Sequence, residues 1–129
     1  MSLGHLTLAT SQVEPTAAFF ERTLGYKRKP PPANSPADVV WLDIGRGQEL
    51  HVLFVANFAA SAFEGEFGRH VAVFHPRADF ARLKQRLAEE GAEIIAPLRE
   101  TPFERFFFRE PINGYVFEVV DRERAPAGD

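Results

Sequence analysis

Gly4-His5-Leu6-Thr7-Leu8-Ala9 is answered later in the chain by Arg69-His70-Val71-Ala72-Val73-Phe74. Each stretch alternates as a strand does. His5, Thr7 and Ala9 face one way and Leu6 and Leu8 the other, and His70, Ala72 and Phe74 oppose Val71 and Val73. A helix signal follows each. After the first, Val13, Ala17, Phe20 and Leu24 recur at helical spacing, Pro15 suits a first turn and Gly25 a stop. After the second, Asp79 is placed as an N-cap, Phe80, Leu83 and Leu87 form the apolar stripe, and Gly91 ends it.

Strand-like runs complete each half. They are Tyr26–Arg28, Val39–Ile44 and Glu49–Val55 in the first, and Glu93–Ala96, Arg105–Arg109 and Tyr115–Val120 in the second. Gly45-Arg46-Gly47 and Asn113-Gly114 are the turn signals between the last two runs of each half. Both halves thus read strand, helix, strand, strand, strand. The organisation expected is an α+β chain forming one domain over 1–129, with modules at about 4–57 and 67–121. Ala56 to Gly68 joins the modules, and its part from Phe58 reads either as a lid or as a linker. Ala125 to Asp129 reads as a short mobile tail.

Composition narrows the function. The 129 residues are 45% hydrophobic and 26% charged, an ordinary globular balance. The net charge is −3 with no basic stripe, which argues against nucleic acid as a partner. There is no cysteine, hence no disulfide, no thiolate metal site and no cysteine nucleophile, as suits the cytosol. No apolar run approaches the roughly 20 residues of a membrane span, and no signal peptide is expected. The 13 Phe suggest a greasy interior or pocket.

The repeat also aligns chemistry. His5 corresponds to His70, and placing Gly47 on Gly114 puts His51 on Glu118 without a gap. His5, His51, His70 and Glu118 therefore fall at equivalent strand positions among apolar neighbours. An ionised carboxylate in such a setting is costly unless paired or metal-bound. Three imidazoles and a carboxylate suit a divalent ion such as Zn, Ni, Fe, Mn or Co. Glu49, two residues before His51 on the same strand face, is the competing ligand, a proton shuttle, or a solvated residue. His75 reads as structural or exposed. Phe106 and Phe108 on one strand, with Trp41 on the corresponding strand of the first half, are expected to wall a substrate pocket.

With these residues in view, the chain resembles the vicinal oxygen chelate superfamily, the group of glyoxalase I, bleomycin-resistance proteins and extradiol dioxygenases. The marks run from Gly4-His5-Leu6-Thr7-Leu8-Ala9 through Ala18-Phe19-Phe20, Leu24-Gly25, Glu49-Leu50-His51-Val52 and Arg69-His70-Val71-Ala72. They end at Phe107-Phe108-Arg109-Glu110-Pro111-Ile112-Asn113-Gly114 and Phe117-Glu118-Val119-Val120. The resemblance implies two tandem βαβββ modules, forming curled mixed sheets around a cavity, with metal ligands on the first and fourth strands of each module. It also implies a homodimer. Glu110-Pro111-Ile112-Asn113-Gly114 departs from the common Asp-Pro-Asp-Gly turn. Pro97 to Arg105 lacks the Ser and Lys set of fosfomycin-modifying members.

The function expected is that of a metal-dependent lyase, isomerase or dioxygenase acting on a small substrate chelated through neighbouring oxygens. Glu118 or Glu49 is the expected general base. The alternative is a non-catalytic protein that sequesters a drug or antibiotic between aromatic walls.

Overall fold

A computed structural model of the chain describes residues 3–36 and 38–124. The tail expected at 125–129 lies outside them. The chain divides into two compact units between Ala59 and Ala60.

The first unit runs β1 (His5–Thr10), α1 (Val13–Thr23), β2 (Lys27–Lys29), β3 (Val39–Gly45) and β4 (Gln48–Phe54). Its sheet has the order β1-β4-β3-β2. β1 lies parallel to β4, and the other pairs are antiparallel. Alternation explains the layering. Leu8, Leu42, Leu50 and Val52 are buried, as are Ala17, Phe19 and Phe20 of α1. Each large side chain so buried contributes about 1.5–3 kcal/mol. The helix starts without a side-chain cap from Gln12. Instead Thr10 Oγ1 accepts from the Gln12 amide, and Thr16 Oγ1 donates to the Gln12 carbonyl. Gly25, just past the helix, has φ +77°, the left-handed stop expected of it.

The second unit repeats the plan with β5 (Val71–His75), α2 (Phe80–Glu89), β6 (Glu93–Ile95), β7 (Arg105–Arg109) and β8 (Val116–Asp121). Its sheet order is β5-β8-β7-β6, again with the first pair parallel. The chain is thus α+β with two tandem βαβββ modules. Phe80, Leu83 and Leu87 are buried on α2 as their spacing predicts, and Phe106, Phe108, Phe117 and Val119 are buried in the sheet. Among the described residues no helix is long and apolar enough to cross a membrane.

Three local expectations are refined. Asp79 occupies the position before α2 but makes no side-chain cap. Its carboxylate instead takes hydrogen bonds from His75 Nε2 at 2.8 Å and Arg86 Nη2 at 2.7 Å. His75 is therefore a structural residue. His70 lies one residue before β5 rather than within it. The β7–β8 connection is wider than a two-residue hairpin. It closes with the Glu110 amide on the Tyr115 carbonyl at 2.9 Å, around the buried Glu110 carboxylate. That carboxylate accepts from the Ile112, Asn113 and Tyr115 amides.

The stretch leading to β5 is also built. The Arg69 amide donates to the Phe63 carbonyl and the Gly65 amide to the Arg69 carbonyl. The Glu64 side chain, 1% exposed, pairs with Arg69. It also accepts from the Val116 amide at the head of β8.

Candidate functional site

In the first unit, register decides which side chains meet. Thr7 pairs with His51 across β1–β4, and Trp41 pairs with His51 across β3–β4. Paired residues share a face. The result is a column of rings, with His51 stacked on Trp41 at 3.9 Å and on His5 at 4.1 Å between centroids. His51 is buried by this, whereas His5 is exposed. Glu49 has both oxygens engaged. His51 Nε2 donates to Oε1 at 2.9 Å, and Lys29 Nζ donates to Oε2. The bond from Lys29, then that from His51, holds the Glu49 carboxyl below the usual carboxylate range. A carboxylate only accepts, so Nε2 is the donor in this bond.

The second unit has the corresponding register. Ala72 pairs with Glu118 across β5–β8, and Phe107 pairs with Glu118 across β7–β8. His51 and Glu118 thus occupy matching places, as the ungapped alignment of the repeat requires. His70 Nδ1 donates to the Gly65 carbonyl at 3.0 Å. That leaves Nε2 facing Glu118 Oε1 at 3.3 Å. The ring edge of His70 meets Phe107 at 5.2 Å. The other oxygen of Glu118, Oε2, accepts from Arg105 Nη1 at 3.0 Å. Arg105 Nη2 also donates to Glu66 at 2.9 Å and to the Arg99 carbonyl at 2.6 Å. Burial works against the Glu66 charge. The Leu98 and Arg99 amides and Arg105 outweigh it and hold the carboxyl at about 2.

The sequence-derived candidates therefore gather in two groups. His5, His51, Glu49 and Trp41 meet in the first unit, and His70 and Glu118 meet in the second. Among the described residues no three His, Asp or Glu side chains converge in a geometry that would hold a metal ion. Phe106 and Phe108 do not share the Glu118 face. Phe106 packs edge-on against Phe80 of α2 at 5.3 Å, and Phe108 stacks on Phe117 at 5.5 Å. Both are core residues, and Phe107 between them is the aromatic beside His70. The reason is the β7–β8 register, which sets Phe107 opposite Glu118 and turns Phe106 and Phe108 to the other face. Trp41 therefore corresponds to Phe107, and a slip of one residue changes the face. Sequence reading also passed over Arg105 and Glu66. Alternation along Arg105-Phe106-Phe107 would have placed Arg105 on the Glu118 face, whereas nothing local announces Glu66. A surface groove of the second unit, lined by Arg77, Phe103 and Arg124 among others, contains none of these side chains.

The donor chemistry fits a divalent cation. In neutral His70 the Nδ1 proton is committed to Gly65, so the Nε2 lone pair confronts a carboxylate oxygen. Two acceptors at that distance require a positive centre between them, whether a proton or a metal ion. His51 is likewise oriented from behind, its Nε2 donating to the Glu49 carboxylate.

The family model of the Glyoxalase/Bleomycin resistance protein/Dioxygenase superfamily matches residues 2–119. The chain belongs to that superfamily. No curated protein sequence matches it. Among solved structures, it is similar to a protein assigned to the glyoxalase family from Bacillus anthracis. That likeness has a TM-score of 0.74 at 24% identity, over 94% of each chain. It is also similar to the fosfomycin resistance protein FosX of Listeria monocytogenes, with a TM-score of 0.74 at 15% identity, over 93% of this chain and 90% of that one. A glutamate-to-glutamine variant of the Listeria protein was solved with Mn(II) and 1S,2S-dihydroxypropylphosphonic acid. It matches at 19% identity with a TM-score of 0.69, over 92% of this chain and 88% of that one. At these identities the likeness establishes the fold.

Proposed function

We propose that this protein is a metal-dependent enzyme acting on a small substrate that presents two neighbouring oxygens. The observation that carries the reading is the confrontation of His70 Nε2 with Glu118 Oε1, each group oriented from behind, by the Gly65 carbonyl and by Arg105. His70 and Glu118 are the proposed ligands of the second unit. His5 and His51 are their counterparts in the first, with Glu49 orienting His51 rather than binding metal itself. A divalent ion there would act as a Lewis acid on the paired substrate oxygens. Glu118 would act as a base only on release from the ion, its Oε1 then taking a proton from the substrate. Glu49, with both oxygens engaged, is the weaker base. Trp41, half-buried and stacked on His51, is proposed to contact the substrate. The Mn(II) and dihydroxy compound bound by the Listeria relative support this substrate class. The lack of cysteine supports a cytosolic setting, and membership of the superfamily supports a homodimer.

Metal content of tag-free protein, followed by calorimetric titration with Mn(II), Fe(II), Co(II), Ni(II) and Zn(II), tests the reading. Near-stoichiometric binding that His70→Ala abolishes is expected. Oxygen uptake with catechols and turnover of hemithioacetals then divide the reaction classes. Failure of every ion to bind the parent would refute the proposal and turn attention to drug binding.

A further inference from the structure

Arg105 is the least solvated cation of the second unit, with its side chain 3% exposed. It opens β7, two residues before the Phe107 that pairs with Glu118. One guanidinium nitrogen reaches Glu118 Oε2, and the other reaches Glu66 Oε2 and the Arg99 carbonyl. The guanidinium carbon lies 5.3 Å from the centre of the Phe107 ring, which in turn meets His70. Glu66 is fixed in its own right. The Leu98 amide donates to Oε1 at 2.6 Å and the Arg99 amide to Oε2 at 3.0 Å. A chain of contacts thus runs from the backbone at 98–99 through Glu66 and Arg105 to one oxygen of Glu118.

Arg105 Nε is, among the described residues, the one buried side-chain nitrogen or oxygen without a hydrogen-bond partner. Leaving such a donor unsatisfied is costly. The guanidinium is held where its terminal nitrogens are used and its inner nitrogen is not. A side chain placed for stability alone would satisfy all of its donors more cheaply.

From this geometry we infer that Arg105 is a positioning residue. It occupies Oε2 of Glu118 and so presents the carboxylate to a metal through Oε1 alone, while Glu66 anchors Arg105 to the loop before β7. This rests on the reading of His70 and Glu118 as metal ligands. Lysine cannot substitute fully, because a single ammonium lacks the fork that spans two carboxylates.

Co(II) is the probe, titrated into the full-length protein and read by calorimetry and by its visible absorption spectrum. Arg105→Gln is expected to weaken Co(II) binding by about 10- to 100-fold. Its spectrum should also change, as Glu118 turns to bind through both oxygens. Arg105→Lys should fall between that variant and the parent. Should Arg105→Gln fail to fold by circular dichroism, Glu66→Gln carries the test, with an expected loss of about 10-fold at the low end of that range. A folded variant whose affinity and spectrum match the parent's overturns the positioning role and leaves the metal site standing. A parent that takes up no Co(II) removes both.

Discussion

Glu118 and Glu49 show how one residue type is given different work by its partners. Glu118 is held from one side, so one oxygen remains to act. Glu49 is held from both sides by Lys29 and His51, and its proton affinity falls. Asp79 belongs with Glu49. Bonds from Arg86 and then His75 hold its carboxyl at about 2, below its ordinary 3.8. A depressed carboxylate stabilises the fold fully above its unfolded pKa, and that contribution is lost as pH falls through the folded value. Asp79 should therefore contribute about 1 kcal/mol at neutral pH, after allowance for its partial exposure. The contribution should disappear between about pH 4 and pH 2. Thermal melts of the parent and Asp79→Asn against pH check this: the curves should differ at pH 7 and converge near pH 2. A gap that persists there would show that the carboxylate charge is not the source. At this scale the sequence was partly legible. His70 and Glu118 could be read from alternation and repeat. Arg105 was readable but unread, and Glu66 was hidden, because its bond to Arg105 joins residues far apart in the chain.

Elements were more legible than residues, since strand and helix periods are properties of short stretches. β7 begins and ends where the aromatic run predicts, and both helices bury the stripe that their spacing marks. What escaped were features that break the period. The bulge in β3 at Asp43/Gly45 is one. The β7–β8 connection is another, since Asn113-Gly114 announced a turn without showing that Glu110 would fill it. Glu110→Ala would leave buried amides without an acceptor and should cost about 3 kcal/mol, read as a lower urea midpoint at unchanged slope. Glu110→Gln keeps an acceptor and should cost less. An equal loss in both would mean that charge, not acceptance, is what the turn needs. The turn before His70 is tested by glycine. A Cβ on Gly68 would meet the Phe63 carbonyl oxygen at 1.9 Å, whereas one on Gly65 meets nothing within 4 Å. Gly68→Ala should destabilise by about 2 kcal/mol, since the backbone must shift and strain the Arg69–Phe63 bond that closes the turn. Gly65→Ala should be near neutral. The reverse order in chemical melts would contradict the turn.

Across the whole molecule, duplication makes the proposed site readable and gives it a thermodynamic consequence. Both sheets place a ring on their third strand beside the fourth-strand site residue, Trp41 by His51 and Phe107 by Glu118. Ligands gathered by folding are dispersed in the unfolded chain, so a metal bound as proposed would add its affinity to the folding free energy. At a free metal concentration 100 times the dissociation constant the gain is about 2.7 kcal/mol. For a domain of this size that raises the melting temperature by about 10 °C. Dialysis against a chelator should lower the melting temperature by this amount, and readdition of the preferred ion should restore it. Glu118→Gln should show neither change, while Asp79→Asn should show both from a lower baseline. The comparison separates an ion held by Glu118 from one bound elsewhere at the surface. A surface ion would leave the Glu118→Gln shift intact. If the shift is lost in Glu118→Gln and also in His5→Ala, both side chains are needed for the ion. If only Glu118→Gln loses it, the metal belongs to the second module alone, and the duplicated histidines of the first have another use.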